Sequence, residues 1–286
     1  MTTTAQAASC SAYYPEESDI RISGEEARRP YGIRAMVAQT STQTRPSRFG
    51  HMKLGPARAE FDNFAKDYRS LHAANIRISG ESPEHFAEYK VRDISALTGN
   101  DGEQVSRILD FGAGIGASVP YFRRYFPQAR LTCVDISEIS LKLAESRFPG
   151  EAKFQFFDGR TLPFSDQRFD LIFAACVFHH VDHAEHVSLL RELNRVLKHQ
   201  GRLAIFEHNP LNPLTVYTVN ACPFDKNSKL VTARVMRARF AAAGFPDARV
   251  MYRIFFPHIL RALRPLEAQL TWLPLGAQYF ITAKKL

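Results

Sequence analysis

A glycine-rich turn directly after a short apolar segment is the feature that most restricts the fold of this chain. The four apolar-rich residues that end at Asp110 read as a central parallel strand, and Gly112, Gly114 and Gly116 alternate after it. Because glycine lacks a Cβ atom, such a turn bends sharply and lets a ligand approach the backbone. The pattern predicts the first strand, turn and helix of a doubly wound α/β sheet, with a small-molecule cofactor at the turn.

Further apolar segments continue the alternation of strands and helices. Residues 130–135 and 154–157 read as strands, and each is closed by an acid, Asp135 in the first and Asp158 after the second. Asp135 comes about 20 residues after the glycines, at the place expected of an acceptor for ribose hydroxyls. Residues 169–175 predict a fourth strand of the same sheet.

The second half of the chain predicts the rest of this sheet. A helical run at 189–198 is followed by Gly201, which we expect to close the helix in the left-handed conformation, and by a strand at 203–206. Residues 250–256 and 278–284 read as the last two strands. The alternation therefore places the chain in the α/β class.

The glycine spacing alone also fits a dinucleotide-binding turn. The ordered motifs between Arg107 and Lys285 resemble the class I S-adenosylmethionine-dependent methyltransferases, in their small-molecule branch. The resemblance implies that Asp110 contacts the ammonium side of the methionine moiety, that Asp135 accepts the ribose hydroxyls, and that Asp158 meets the adenine amino group. This cofactor bears a sulfonium and no phosphate, so an acid before the first glycine suits it better than it suits a pyrophosphate.

The resemblance also implies the architecture and the cofactor site. It predicts a Rossmann-like, seven-stranded sheet whose last strand is antiparallel, an N-terminal helical lid, and S-adenosyl-L-methionine as the cofactor. The implied cofactor-binding residues follow four strands of the sheet and are Asp110, Gly112, Ala113, Gly114, Gly116, Asp135, Ile136, Asp158, Gly159 and Cys176.

Composition and periodicity divide the chain into three parts. Residues 1–51 are rich in Ser, Thr, Ala, Arg and Pro without a sustained period, which predicts a disordered extension. Residues 52–105 show helical periodicity and predict the lid, and residues 106–286 predict the cofactor-binding domain. Insertions at 209–230 and 257–275 are expected to cover the acceptor.

Composition restricts the protein's class and partners. The 286 residues, 45% hydrophobic and 23% charged, suit a globular core, and no apolar run approaches the roughly 18 residues of a membrane span. Four cysteines without a Cys-x-x-Cys pair indicate reduced thiols in a cytoplasmic protein. The net charge of +8 arises after Asp225, which favours an anionic acceptor, nucleic acid or a membrane surface, or else is a solvated face.

Histidines after the fourth strand are the candidate catalytic residues. Methyl transfer from a sulfonium is an in-line displacement, so the protein mainly aligns the reactants and excludes water. Where an acceptor must lose a proton, His179 and His180 are the candidate bases, although paired histidines also shape pockets without titrating. Glu207 and His208 follow the fifth strand at the same sheet edge. No metal is expected, because the histidines at 179, 180, 183 and 186 lack a helical pair with a carboxylate.

These observations favour a methyltransferase for a small-molecule or lipid-linked acceptor, a saccharide included. Arg261, Arg264 and Trp272 in the second insertion favour an anionic, partly apolar acceptor, and leave open peripheral contact with an anionic membrane. The main alternative is a nucleic-acid methyltransferase, which the basic C-terminal part favours, although no RNA-binding module is recognisable. A non-catalytic cofactor-binding scaffold is the other alternative, and the intact Asp110 and Asp135 speak against it. The sequence predicts neither the acceptor atom nor the oligomeric state.

Overall fold

The computed structural model describes residues 68–286. The predicted extension at 1–51 and the first part of the predicted lid, residues 52–67, lie outside the described residues. No helix in the described part of the chain is long and apolar enough to cross a membrane.

Two helices precede the sheet. The first, α1, spans Tyr68–Ile76, and a 3-10 turn at Arg77–Ser79 leads to α2 at Pro83–Asn100. Ser82 starts α2, because its hydroxyl accepts a hydrogen bond from the backbone N–H of His85 at 3.3 Å and a proline occupies the first helical position. The buried face of α2 packs against the sheet.

Seven strands form one sheet in the order β3-β2-β1-β4-β5-β7-β6. Strands β1 to β5 run parallel to one another, and β7 pairs antiparallel with both β5 and β6. The predicted doubly wound sheet with an antiparallel last strand is therefore confirmed. The strands are β1 Arg107–Phe111, β2 Arg130–Asp135, β3 Lys153–Phe156, β4 Phe169–Ala175, β5 Leu197–His208, β6 Arg249–Arg253 and β7 Gln278–Lys284.

Two hydrophobic clusters cover the two faces of the sheet. Ile108 belongs to one cluster and Leu109 to the other, because successive side chains of a strand point to opposite faces. The first cluster contains buried residues of α2 and α3, and the second contains residues of α5 and α7. The remaining helices are α3 Val119–Tyr125, α4 Glu138–Arg147, α5 His186–Val196, α6 Pro213–Ala221 and α7 Ala233–Ala242.

The transition from α5 to β5 differs from the prediction. Helix α5 ends at Val196, and Gln200, not Gly201, has the positive φ, of 61°. A Cβ on Gly201 would lie 2.8 Å from the carbonyl oxygen of Lys198, so glycine is needed there for close backbone approach. The prediction that Gly201 closes the helix in the left-handed conformation is therefore wrong, because residues 198–201 already belong to β5, where they interrupt its register with β4.

Candidate cofactor and acceptor site

The turn after β1 is fixed to the end of β2. The backbone N–H groups of Gly112 and Ala113 donate to the carbonyl oxygen of Val134 at 2.8 and 3.0 Å. Gly112 has a φ of 73°, and a Cβ there would lie 2.4 Å from Cγ2 of Val177. Only glycine combines this backbone conformation with so close a neighbour. The turn is therefore wedged between the ends of β2 and β4.

Asp135 connects the rest of the turn to β2. Its Oδ2 accepts from the backbone N–H of Gly114 at 2.8 Å, and its Oδ1 accepts from that of Ser137 at 2.9 Å. A carboxylate offers about four acceptor positions, so this geometry is compatible with further hydrogen bonds from two ribose hydroxyls. Gly116 is close to α4, because a Cβ on it would lie 3.1 Å from Cβ of Ala144.

Asp110 is a buried acid at the base of the turn. It is 2% exposed, and within the described part of the chain its Oδ2 has no hydrogen-bond partner. Burial, together with the negative charge of Asp135, raises the pKa of Asp110 to about 8. A buried acceptor of this kind is costly unless it gains a partner. The cationic ammonium of S-adenosylmethionine suits that position, so the residues present fit the predicted cofactor.

The end of β3 adds the third acidic residue of the predicted set. Asp158 is exposed, and its Oδ1 accepts from the backbone N–H groups of Arg160 and Thr161 at 2.8 and 3.0 Å. A Cβ on the neighbouring Gly159 would lie 4.0 Å from Cγ2 of Ile136. The structure thus brings the predicted residues after β2 and β3 together at the same sheet edge as the glycine turn. The adenine contact of Asp158 stays a prediction.

Cys176 ends the predicted cofactor set at the carboxyl end of β4. Its φ is 58°, an uncommon value for a residue with a side chain, and its Sγ lies 3.8 Å from both Lys90 Nζ and Gln278 Nε2. Burial acts to raise the pKa of the thiol, but the neighbouring Lys90 and His208 outweigh it and bring the pKa to about 7. Lys90 and Gln278 were not identified as site residues from the sequence. Lys90 is a single lysine within the apolar pattern of α2, and nothing local marks it as a partner of Cys176.

His179 is a buried cation held by two carboxylates. It is 2% exposed, and its Nδ1 lies 2.7 Å from Oε2 of Glu207 and its Nε2 lies 3.4 Å from Oδ1 of Asp225. Burial acts to lower its pKa, but the charge of Glu207 and the hydrogen bonds to both acids raise it to about 10. A histidine that keeps its proton at neutral pH is a poor general base, so this geometry supports a positioning role for His179.

Glu207 fixes the backbone turn that carries both histidines. Its Oε1 accepts from the backbone N–H groups of Val177 and Phe178 at 3.0 and 2.7 Å, while its Oε2 faces His179. The pKa of Glu207 is lowered although burial acts to raise it, because His179 is positively charged. The sequence predicts that Glu207 lies at the same sheet edge as His179. It does not predict their contact, because the two residues come from different strand ends and no local pattern indicates the pair.

His180 is the more accessible histidine of the pair. Its side chain is 17% exposed, its Nε2 lies 3.2 Å from Oδ1 of Asp225, and the two imidazole rings are 4.1 Å apart. Burial, followed by the positive charge of His179, lowers the pKa of His180 although Asp225 acts to raise it. His180 is therefore neutral near pH 7 and is able to accept a proton.

The same cluster contains the donor atoms of a candidate metal site. His179, His180 and Asp225 each offer one donor, and these atoms lie within 4.8 Å of one another. His183 and His186 are engaged elsewhere, with the backbone oxygens of Lys229 and Val181 respectively. A metal ion would compete with the proton that the acids stabilise on His179. The absence of a metal stays a prediction, which we state below in testable form.

The two predicted insertions contact each other beside the end of β5. Asn209 Nδ2 donates to the carbonyl oxygens of Pro274 and Gly276 at 3.1 and 2.8 Å, and Asn212 Nδ2 donates to that of Leu275 at 2.7 Å. Leu275 is itself exposed, as is Trp272, whose exposed fraction is 72%. The second insertion consists of a kinked 3-10 segment at His258–Gln269 and the turn that follows it.

Of the two arginines predicted to meet the acceptor, Arg264 contacts the residues before α2 and Arg261 contacts a histidine of its own insertion. Arg264 pairs with Glu81, and Glu81 Oε1 also lies 2.9 Å from Nδ1 of His258. Arg261 Nη1 lies 2.7 Å from Nε2 of the same histidine. Other cations of the C-terminal part are paired too, since Arg253 pairs with Asp93 and Lys284 with Glu103.

Comparison with known proteins identifies the domain that this site defines. Residues 109–205 match the family model described as a methyltransferase domain, and the matched range contains the glycine turn, Asp135, Asp158 and both histidines. This match shows a methyltransferase domain over these residues, and the sheet topology is the one that the predicted class I fold requires.

Several curated relatives are more than 30% identical to the chain, over less than half of their length, and two of them serve as examples. Demethylmenaquinone methyltransferase of Thermotoga maritima is 37% identical over 106 residues, which cover 37% of this chain and 45% of that protein. The ubiquinone/menaquinone biosynthesis C-methyltransferase UbiE of Desulfotalea psychrophila is 32% identical over 120 residues, which cover 42% and 47%.

A longer match has lower identity. Malonyl-[acyl-carrier protein] O-methyltransferase of Methylococcus capsulatus is 29% identical over 175 residues, 58% of this chain and 62% of that protein. The chain therefore spans about half to three-fifths of these relatives, and their acceptors belong to different chemical classes.

Solved structures support the fold. A S-adenosylmethionine-dependent methyltransferase of Thermotoga maritima has a TM-score of 0.57 at 19% identity, and the match covers 80% of this chain and all of that one. Phosphoethanolamine N-methyltransferase 2 of Haemonchus contortus, solved with S-adenosyl-L-methionine, has a TM-score of 0.55 at 16% identity, with 79% and 60% covered. At such identities the likeness shows the fold alone.

Proposed function

We propose that the protein is an S-adenosylmethionine-dependent methyltransferase that methylates a small-molecule acceptor at the carboxyl edge of its sheet. One observation carries the proposal: the glycine turn, Asp135 and the buried Asp110, whose Oδ2 has no partner among the described residues, lie at the edge where Cys176 and His180 follow β4. Ligands of doubly wound sheets bind at this edge. Cofactor and acceptor groups are thus adjacent in one site.

The proposed mechanism assigns a separate task to each group of residues. Bound S-adenosylmethionine supplies an electrophilic methyl group on its sulfonium. Asp110, Asp135 and Asp158 would hold the ammonium, ribose and adenine parts of the cofactor and so align its methyl group with the acceptor. His180, whose Nε2 faces Asp225 Oδ1 at 3.2 Å, accepts the proton when the acceptor nucleophile carries one. His179 keeps Asp225 in place.

The surroundings of the site favour an organic acceptor with apolar parts. Leu211, Tyr217, Trp272 and Leu275 are exposed on the two joined insertions, which supports a ring system or a lipid-linked compound. A saccharide gains no support from the polar residues here, because Asn212 caps α6 and Asp225 pairs with the histidines. Quinone-pathway and acyl-carrier relatives agree with a small organic acceptor.

Nucleic acid is the alternative acceptor that the excess positive charge of the C-terminal part favours. Arg253, Arg264 and Lys284 pair with acids within the protein, which removes three of the eleven cations after Asp225 from such a surface. A phosphate-binding surface requires cations that face solvent. Peripheral contact with an anionic membrane stays a proposal, which sedimentation with vesicles of anionic lipid tests directly.

Cofactor recognition is tested with an Asp135→Asn variant. The loss of a charged acceptor for two hydroxyls weakens binding by about 1.5–3 kcal/mol, or about 10- to 150-fold. Titration calorimetry with S-adenosylhomocysteine measures this loss, and Asp247→Asn, at an exposed position, serves as the control. Wild-type protein that ignores this ligand and binds a nicotinamide dinucleotide would contradict the proposal.

Proton transfer is tested with a His180→Asn variant. We expect kcat to fall by about 10²- to 10⁴-fold for an acceptor that must lose a proton, while the affinity for S-adenosylhomocysteine is retained. The acceptor is found by transfer of a labelled methyl group into cell-extract fractions, followed by solvent partition of the product. Unchanged kcat in the variant, with transfer confirmed in the wild type, would exclude His180 as the base. Binding without any transfer would instead favour the scaffold alternative.

A further inference from the structure

Lys90 is a buried cation whose electrostatic partner is a thiol. The residue is 7% exposed, its Nζ lies 3.8 Å from Cys176 Sγ, and it stands 5.7 Å from the ring centre of Tyr89. Among the residues that the structure describes, Lys90 forms no ion pair with a carboxylate. Because an ammonium group inside a protein is costly unless an anion faces it, this position calls for a negative partner.

Further donors point to the same place. Gln278, buried on β7, directs its Nε2 to Cys176 Sγ at 3.8 Å, and its Oε1 accepts the hydroxyl of Tyr89, which fixes the amide orientation. His208, at the end of β5, is the other residue that acts to lower the pKa of this thiol. The nearby acid, Glu207, is committed to His179 and to two backbone N–H groups. Two donors, Lys90 and Gln278, thus face one sulfur atom beside His208.

This cluster lies at the boundary between the cofactor turn and the acceptor edge. Cys176 has a φ of 58°, and such left-handed backbone in a residue with a side chain is kept where the surrounding structure demands it. The next residue, Val177, is the one that a Cβ on Gly112 would strike. One residue therefore separates the cluster from the turn that we assign to the cofactor.

We propose that Lys90, Gln278 and His208 form an anion-binding subsite that holds a carboxylate or phenolate oxygen of the acceptor. In the free protein the sulfur of Cys176 takes the place of that oxygen. When the anion binds, the thiolate takes up one proton from solvent and an S–H bond forms, so that Lys90 exchanges a sulfur anion for an oxygen anion. The inference rests on the proposed function and specifies the charge of its acceptor.

Calorimetry with a charged and a neutral probe tests the subsite. The full chain, saturated with S-adenosylhomocysteine, is titrated at about pH 8 with benzoate and with its neutral analogue benzamide. We expect benzoate to bind at least about tenfold more tightly, with uptake of up to one proton, read from two buffers of different ionisation enthalpy. Lys90→Met should weaken benzoate about 10- to 100-fold, whereas Lys90→Arg should retain most of the binding. Lys142→Met, at an exposed position of α4, is the matched control.

A Cys176→Ser variant separates the two parts of the proposal. It should still bind benzoate but without proton uptake, because no titrating sulfur remains. Equal binding of benzoate and benzamide by wild type, or full benzoate affinity in a folded Lys90→Met protein, would overturn the subsite. If Lys90→Met fails to fold, Gln278→Leu replaces it under the same criterion. Failure of the wild type to bind S-adenosylhomocysteine would refute the proposed function itself, whereas its binding without benzoate discrimination would refute the subsite alone.

Discussion

Replacing His179 by glutamine removes the cation from a buried three-residue network. Glu207 and Asp225, both buried, then lose the positive partner that faces them at 2.7 and 3.4 Å. Removal of one member of a buried ion pair destabilises a protein by about 3–5 kcal/mol, because the remaining charge is uncompensated. For a domain of this size the melting temperature changes by about 2–4 °C per kcal/mol, so His179→Gln should lower it by about 6–20 °C.

The pH dependence of stability gives a sharper test of the same network. The pKa of His179 is raised from its ordinary value, about 6.5, to about 10 in the folded protein. Its contribution to the free energy of unfolding is therefore complete below about pH 6.5 and is lost as the pH rises through about 10. The difference in the free energy of unfolding between wild type and His179→Gln should therefore become smaller as the pH rises from about 6.5 to about 10.

Urea unfolding followed by circular dichroism measures that difference at several pH values. His199→Gln, at an exposed position, is the matched control and should follow the wild type throughout. A gap between His179→Gln and wild type that stays constant from about pH 6.5 to about 10 would refute the charged state assigned to His179. A fall in melting temperature of less than about 2 °C would refute the energetic argument as well.

Two further predictions concern the glycine turn and the candidate metal site. Gly112→Ala should destabilise the protein by about 2–5 kcal/mol and weaken S-adenosylhomocysteine, because it combines a positive φ with contact to Val177. A second change, Val177→Ala, should restore part of the loss in thermal unfolding, while Gly99→Ala, where a Cβ meets nothing within 4 Å, should be close to neutral. Dialysis against EDTA should leave activity and melting temperature unchanged, because the proton on His179 occupies the place of a cation. Activity that falls with EDTA and returns with a divalent metal would make His179, His180 and Asp225 a metal site.

The parts of the structure that follow local rules could be predicted from the sequence. The strands, the glycine turn and the acids at strand ends are local patterns, and the structure gathers Asp110, Asp135 and Cys176 at one sheet edge as expected. The roles of Lys90 and Gln278 could not be predicted, since they meet Cys176 from elements 86 and 102 residues away in the chain. Such contacts arise from tertiary packing, and the hydrophobic periodicity of the sequence does not predict them.

Gly201 is a case in which a local sequence rule predicts the wrong conformation. A glycine after a helical run usually marks a left-handed helix end, and the rule fails here because the chain enters β5 directly. The residue is small because another backbone carbonyl lies close to it. One residue type therefore carries two physical meanings, which only the three-dimensional structure separates.

Glu81 has a mechanical consequence for the protein. It is bound by both His258 and Arg264, and Gly80 beside it approaches so closely that a Cβ would lie 2.7 Å from Cβ of His258. The residues before α2 and the segment between β6 and β7 are thereby held together by contacts at Glu81, although about 180 residues separate them in the chain. Any displacement of one must carry the other or break the contact at Glu81.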